Sequence, residues 1–508
     1  MLRPRLHEQL NNHFGFSEFR EGQKEIIEDV LQGQDVLGIL PTGVGKSLCY
    51  QLPSLLTHGT TLVVSPLISL MVDQVKQLKA KGYKSVIALN SFMDYRERTA
   101  ALNQLNNYRL IYVSPEMLQN PKIEKVLHTL DVSLFVIDEA HCISQWGHEF
   151  RTDYLKMDQV IEKVGNPPVL ALSATAAPDV QKDIKKQLGR TNMIDHIYPM
   201  DKPNISFAVE FHEHQDDKKA RIRHMLAAQR LPTMIYFSSR QSAELVAEEL
   251  NIALDQRVAF YHGGMEQMDR LLVQQQFMKD QLDVICCTSA FGMGVDKPNI
   301  RRVIHYHFPT QVESYIQEIG RAGRDGKPCA SIVLYTPHDQ LLPKMLMERE
   351  LPEEAAIERL FAWLTNHSAL LPDEEMHEQL QLSESQWNFL KYQLEETQVI
   401  FQNTIMFDVE LWSKAKMQIR TNLRKRWNYK NEKFHQMRDW LYFTGCRRLK
   451  LYEPFQEGVR DAEVDCCDHC GFIIDDAQLM EEEAAGVITH NSWDVRLKRI
   501  FLQESINE

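Results

Sequence analysis

No run of about 18 apolar residues occurs anywhere in this 508-residue chain, so no membrane-spanning helix is expected. Met1 to Gln23 mixes Arg, His, Glu and Asn without an apolar core segment, which argues against a secretory signal and for a soluble, cytoplasmic protein. Cysteine is sparse. Of nine cysteines, Cys49, Cys142, Cys286, Cys287 and Cys329 stand apart, the pattern of a reducing compartment rather than a disulfide scaffold. Internal repeats and low-complexity tracts are also missing, which excludes solenoids and long disordered linkers. Overall basic charge is absent as well: a net charge of −13 counts against a polyanionic partner if that charge is spread evenly.

The charge is not spread evenly. Residues 412–450 hold twelve Lys or Arg against two acids, Glu432 and Asp439, interleaved with Trp412, Trp427, Tyr429, Phe434 and Trp440. Such a stripe suits nucleic acid, with Arg420, Arg424, Arg426 and Lys430 available to phosphates; equally, the aromatics can be core and the cations their solvated face.

The length implies two to four domains. Short apolar runs at Val36–Leu40, Thr61–Ser65, Leu110–Val113, Leu134–Ile137 and Val169–Leu172 alternate with amphipathic stretches, the pattern of a parallel sheet wrapped by helices. After Asp201-Lys202-Pro203-Asn204, a linker, the pattern restarts with Met234–Phe237, Val258–Tyr261, Asp283–Cys286, Val303–His307 and Ser331–Leu334. Two α/β lobes are thus expected at 1–202 and 203–345. A helix-turn-helix-like segment with a small wing follows at 346–411, its helix-turn-helix over Leu380–Val399. A basic helical segment with a cysteine cluster spans 412–475, and an acidic tail 476–508.

Leu40-Pro41-Thr42-Gly43-Val44-Gly45-Lys46-Ser47 follows an expected strand and opens an expected helix. Glycines let backbone N–H groups approach phosphate oxygens, and a helix N-terminus favours the negative charge. Lys46 can reach the β- and γ-phosphates and Ser47 can ligate Mg²⁺. Leu40 stands where the strict P-loop pattern has glycine. Asp138-Glu139-Ala140-His141 follows an apolar strand, so its two carboxylates fall at a strand's carboxyl end, where open α/β sheets bind ligands. Asp138 suits the Mg²⁺ and Glu139 the attacking water. In the second lobe, Gln317, Arg321 and Arg324 lie in Gln317-Glu318-Ile319-Gly320-Arg321-Ala322-Gly323-Arg324-Asp325. Two arginines three apart on a helix share a face and can meet a γ-phosphate across a cleft, Arg324 as the finger and Arg321 beside it.

These motifs, in this order, resemble superfamily 2 helicases and most closely the RecQ family, over roughly residues 6–345 and the cysteine region. The resemblance implies two tandem RecA-like lobes binding ATP between them. Phe14-Gly15-Phe16, Phe19-Arg20 and Gln23 resemble the family's adenine-gripping motif, which implies Phe16 and Arg20 on the faces of the base and Gln23 on its edge. Ser65-Pro66-Leu67-Ile68-Ser69-Leu70, Ser114-Pro115-Glu116, Ser173-Ala174-Thr175, Tyr236-Phe237-Ser238-Ser239-Arg240 and Tyr261-His262-Gly263-Gly264-Met265 resemble further motifs. So does Thr288-Ser289-Ala290-Phe291-Gly292-Met293-Gly294-Val295-Asp296-Lys297. Cys142-Ile143-Ser144-Gln145-Trp146-Gly147-His148-Glu149-Phe150-Arg151 resembles the aromatic-rich loop linking DNA binding to hydrolysis. Trp146 and Phe150 offer stacking faces to unpaired bases, worth about 1–3 kcal/mol each; His148 and Arg151 suit phosphates.

Cys446, Cys466, Cys467 and Cys470 are spaced C-x19-C-C-x2-C, a set that can hold Zn²⁺ and resembles the RecQ zinc subdomain. Adjacent ligands are awkward, so His469 is an alternative to Cys466. Four protein ligands leave no open position, which makes the metal structural. The helix-turn-helix-like stretch precedes the cysteines, whereas in long RecQ proteins a winged helix follows them; this order resembles the short bacterial RecS-type members.

The expected activity is ATP-dependent 3′→5′ unwinding of duplex DNA by translocation on single strands, in recombination, repair or replication restart, with polarity implied by resemblance alone. Partners implied are single-stranded and partly duplex DNA, with a single-strand-binding protein or repair proteins at the bacterial nucleoid as candidate protein contacts. The alternatives are a DNA translocase or annealing factor without strong unwinding, an RNA helicase of the DEAH or DEAD type, and a DNA-binding scaffold with a dead ATP site.

Overall fold

Val36–Ile39 (β1) is apolar throughout because a strand inside a parallel sheet is covered on both faces. Thr60–Val64 (β2), Val86–Leu89 (β3), Leu110–Val113 (β4), Val132–Ile137 (β5) and Val169–Ser173 (β6) are likewise buried along almost their whole length and mostly apolar. With Ile194–Ile197 (β7) they form a seven-stranded parallel sheet in the order β3-β4-β2-β5-β6-β1-β7. This is a computed structural model, and it describes residues 6–144, 152–291, 297–401, 403–475 and 479. The sequence pattern does not reveal β3 and β7. The second omission has a physical cause: β7 is an edge strand whose residues alternate between half-buried and exposed, so it carries no apolar run.

The second lobe repeats the plan. Ile205–Phe211 (β8), Thr233–Tyr236 (β9), Val258–Tyr261 (β10), Val284–Cys287 (β11), Arg302–His305 (β12) and Cys329–Tyr335 (β13) pair in parallel in the order β10-β11-β9-β12-β13-β8. Strand β8, which starts directly after the linker, is likewise missing from the sequence-based expectation. The chain thus holds two tandem RecA-like α/β lobes.

Beyond them, helices Glu354–Thr365, Asp373–Leu380 and Glu384–Glu396 pack around Leu360, Leu364, Trp387, Leu390 and Leu394 as a separate small core. A hairpin of Ile400–Phe401 (β14) and Thr404–Ile405 (β15) follows, and Ala369 makes one isolated antiparallel bridge to Thr404. Three helices and a small hairpin thus stand where a helix-turn-helix with a small wing is expected, but the helix-turn-helix starts earlier than Leu380. Its turn is Gln381-Leu382-Ser383, with Gln381 left-handed at φ 53° and Ser383 forming a capping box with Gln386. The segment also reaches lobe 1: Glu395 pairs with Lys156 at 2.8 Å.

Helix Val409–Tyr442, 34 residues and about 50 Å long, carries the basic stripe from this small helical core back to lobe 2. Several cations of the stripe face acids of neighbouring elements. Lys416 and Arg420 pair with Glu358, Arg420 also with Glu354, Lys430 with Glu350, and Lys433 with buried Glu313. Phe434 packs on Phe308 and Trp440 on Tyr315, so these aromatics are core. Arg447 and Arg448 are buried too, the first chelating Asp468. The expected phosphate-binding stripe is therefore reduced mainly to Arg424 and Lys425, both exposed.

The cysteine segment extends the sheet of lobe 2. Phe207 on edge strand β8 donates its N–H to Cys466 O at 3.1 Å, and Asp468 N–H donates to Phe207 O at 2.9 Å. An otherwise open sheet edge is thereby covered.

Candidate active site

The topology brings three loops to one place. β5, β6 and β1 are neighbours, so the segments leaving their carboxyl ends (Asp138-Glu139, Ser173-Ala174-Thr175 and the P-loop) lie side by side. Gly43 and Gly45 adopt φ of 89° and 87°, a region closed to most side chains. A methyl on Gly43 would also press on the Arg324 stem, 3.1 Å away.

Lys46 Nζ lies 3.5 Å from both oxygens of Glu139, which is itself left-handed at φ 50°. His141 Nδ1 meets Ser173 Oγ at 2.9 Å and Glu139 at 3.5 Å, so the acid box and the Ser-Ala-Thr segment share one network. Thr175 N–H also donates to Ser173 Oγ. Burial, then the neighbouring Glu139 charge, raises the Asp138 pKa to about 6, against the pull of Lys46. A carboxylate so placed gains from a cation, which suits Mg²⁺ held by Asp138 and Ser47.

A single cleft is lined by Arg20, Thr42, Gly43, Gly45, Lys46, Ser47, Asp138 and Glu139 from lobe 1 and by Gln317, Arg321 and Arg324 from lobe 2. The arginines are not helical, contrary to the expectation from their spacing. The helix Val312–Ile319 ends at Gly320, and both sit in the following turn, where Gly323 takes φ 55°. Arg321 is buried against the Tyr236 hydroxyl, whereas Arg324 leans on the P-loop.

The residues expected to grip adenine are partly committed elsewhere. Phe16 is half exposed, with Lys81 over its ring at 5.8 Å. Arg20 donates to Gly43 O at 2.5 Å. Gln23 accepts from Arg20 N–H at 2.9 Å and donates to Val44 O at 2.7 Å, so its amide clasps the P-loop rather than standing open for a base edge. Trp146, His148, Phe150 and Arg151 lie outside the described residues.

Sequence reasoning misses the part that the helix Ile68–Ala80 plays in the cleft, where its Leu70, Asp73, Gln74 and Gln77 form part of the lining. Their three- and four-residue spacing is the available signal. Asp73 accepts from Gln274 of lobe 2 at 3.3 Å, another link across the lobes.

Cys446, Cys466, Cys467 and Cys470 place all four sulfurs within 4.8 Å of one another. Sulfurs about 2.3 Å from a tetrahedral Zn²⁺ must lie roughly 3.8 Å apart, so the set fits the ion. His469 is turned away, its Nε2 3.2 Å from Arg447 Nη2.

Among known families, the DEAD/DEAH box helicase family matches residues 20–184 and the helicase conserved C-terminal domain residues 217–326. The chain is 41% identical over 99% of its length, and 99% of the other's, to the probable ATP-dependent DNA helicase RecS of Bacillus subtilis. It is 41% identical to the ATP-dependent DNA helicase RecQ of Haemophilus influenzae over 69% of this chain and 56% of that one. The chain thus spans about half the length of several longer relatives. The Mycobacterium smegmatis helicase Lhr, solved bound to ssDNA and AMP-PNP, superposes with a TM-score of 0.56 at 18% identity over 81% of this chain and 61% of that one, a likeness of fold. No described helix is long and apolar enough to cross a membrane. With full-length similarity to RecS, half-length similarity to RecQ and both helicase lobes matched, the chain belongs to the RecQ family of helicases.

Proposed function

We propose that the chain is an ATP-dependent DNA helicase that moves 3′→5′ along a single strand and separates duplex DNA. The observation that carries this reading is the cleft in which Lys46, Asp138 and Glu139 of one lobe face Gln317, Arg321 and Arg324 of the other. The family supplies the substrate class and the polarity; its RecS and RecQ relatives are named DNA helicases, which disfavours the RNA-directed alternative.

Lys46 holds the β- and γ-phosphates, and the P-loop N–H groups of Gly43 and Gly45 take their oxygens. Ser47 and Asp138 would hold Mg²⁺, which would neutralise phosphate charge there. Glu139 orients water for in-line attack, and His141 fixes its carboxylate. Arg324 meets the charge that develops on the transferred phosphoryl group, with Arg321 beside it. Phe16 and Arg20 hold the adenine faces, and Gln23 reaches the base edge by releasing the P-loop. Closing and opening of the cleft then steps the lobes along DNA gripped through Trp146, His148, Phe150 and Arg151. Cys446, Cys466, Cys467 and Cys470 hold a structural Zn²⁺. Recombination, repair or replication restart at the bacterial nucleoid, alongside single-strand-binding or repair proteins, is the setting this reading implies.

The test is ATP hydrolysis by the purified protein with no nucleic acid, single-stranded DNA and matched RNA, with Glu139→Gln as control. Unwinding of duplexes with 3′ or 5′ overhangs accompanies it. DNA-specific stimulation lost in the variant, with unwinding only from a 3′ overhang, is expected; equal stimulation by RNA overturns the substrate assignment.

A further inference from the structure

The link between the lobes is gripped from both sides. On one side Lys202 Nζ donates to the carbonyl oxygens of Gly320 at 2.6 Å and Ala322 at 3.1 Å. Asn204 Nδ2 donates to those of Gly323 at 2.9 Å and Lys327 at 2.8 Å. These carbonyls bracket the turn that carries Arg321 and Arg324. On the other side, Arg448 donates to Lys202 O and Ile205 O, both at 2.6 Å, and its Nε lies 3.3 Å from Cys466 Sγ. Asp201 accepts from Gln456 Nε2 at 2.9 Å and from Arg460 N–H at 2.8 Å.

Lys202 has no acid partner among the described residues; its ammonium sits instead at the carboxyl end of the helix Val312–Ile319. Helix ends of that polarity attract cations, and the free carbonyls there need donors. The turn it holds is the surface of lobe 2 that meets the P-loop: a side chain on Gly320 would run into Thr42 Oγ1, and the Arg324 stem rests on Gly43. A displacement of about 1 Å in a catalytic group can cost roughly 100-fold in rate. The group that fixes this turn therefore controls more than local stability.

We propose that Lys202 is a positioning residue for ATP hydrolysis, pinning the Gly320–Gly323 turn so that Arg324 and Arg321 meet the phosphates, and that Arg448 registers this pin to the cysteine subdomain. The proposal rests on Arg324 acting as the arginine finger. It makes the linker a relay: the cysteine-bearing loop sets Arg448, Arg448 sets the Lys202 backbone, and the Lys202 side chain sets the arginine turn.

The test uses full-length protein with Lys202→Met, Lys202→Arg, Arg324→Ala and the Lys202→Met/Arg324→Ala double variant. Lys202→Met is expected to lower DNA-stimulated kcat about tenfold or more with KM for ATP changed less than about threefold, the mark of an interaction used only in the transition state. Lys202→Arg should recover much of that loss, and adding Lys202→Met to Arg324→Ala should cost far less than Lys202→Met costs the parent, leaving only what acts through Arg321. A Lys202→Met kcat within about twofold of the parent, or a loss that multiplies with that of Arg324→Ala, overturns the proposal. If Arg324→Ala itself keeps full kcat, the finger assignment falls separately, and the positioning role falls with it. Should Lys202→Met not fold, Lys202→Gln, which keeps an N–H donor on a shorter stem, serves in its place. For the relay, Arg448→Lys should reproduce the kcat loss while the zinc content per chain, measured by metal analysis, stays at that of the parent. Unchanged kcat in that variant removes Arg448 from the relay.

Discussion

Lys433 of the long helix and Glu313 of lobe 2 form an ion pair at 2.6 Å with both side chains more than nine-tenths buried. One strongly basic helix thus commits a cation to internal wiring rather than to DNA. Removing one partner leaves the other charge buried and unpaired, which costs about 3–5 kcal/mol. Lys433→Met should lower the thermal midpoint sharply in scanning calorimetry, and Lys433→Met/Glu313→Leu should regain most of it. A single variant as stable as the parent would show that the pair contributes nothing to holding the helix on lobe 2.

The same wiring makes a prediction about DNA. Arg420 is engaged by Glu354 and Glu358, whereas Arg424 and Lys425 are exposed and have no acid partner among the described residues. Removing one cation that touches a phosphate reduces the slope of log K against log salt by about one. Arg424→Ala and Lys425→Ala should flatten the slope for single-stranded or forked DNA, and Arg420→Ala should leave it unchanged. The reverse ranking would place the DNA on another face.

Metal removal should be felt in lobe 2. The cysteine loop covers edge strand β8, so Cys446→Ser or prolonged chelation should lower the thermal midpoint and open the Ile205–Phe211 amides to hydrogen exchange. One zinc per chain is expected in the parent. Protected amides in the stripped protein would show that the loop holds without the ion.

A pH experiment isolates Lys202. Burial of its ammonium, then the Arg324 charge with smaller help from Arg321 and Arg20, lowers its pKa to about 7, while the Cys329 thiol pulls weakly the other way. Because the folded value lies below the ordinary lysine value, the unfolded chain binds more protons between about pH 7 and 10.5. The destabilisation is complete below about pH 7 and is relieved as pH rises through that window. A triphosphate beside Arg324 favours the charged form, so ATP binding at pH 8 should take up protons. Calorimetry in buffers of different ionisation enthalpy should detect the uptake, and Lys202→Met should abolish it. Asp138, with its pKa near 6, is already ionised at that pH and does not confuse the reading.

Much of this molecule is legible from local pattern. Strands β1, β2, β4 and β5 declare themselves because buried parallel strands must be apolar on both faces, and glycines at 43 and 45 mark a turn that only they can make. The edge strand β7 does not, because half of it faces outward. Arg321 and Arg324 stand out in the sequence, but their spacing suggests a helix that in fact stops at Gly320. Spacing alone carries no trace of where a helix is broken by packing. Gln23 has the motif position of a base contact, yet its amide is engaged on Val44 and Gly45 carbonyls that are distant in sequence.

By itself the sequence determined two parallel α/β lobes, the phosphate-binding turn, the paired acids at a strand end and a four-cysteine set, since each depends on residue types at short spacing. Only the tertiary structure decided which charges are available. Twelve cations within thirty-nine residues look like a polyanion footprint until Glu313, Glu350, Glu354 and Glu358 arrive from other elements to neutralise several of them. It also decided what the linker does. Lys202 and Asn204 read as a plain connector, because the carbonyls they grip lie about 120 residues away, and a hydrogen bond to backbone leaves no mark on the side chains of the residues it holds.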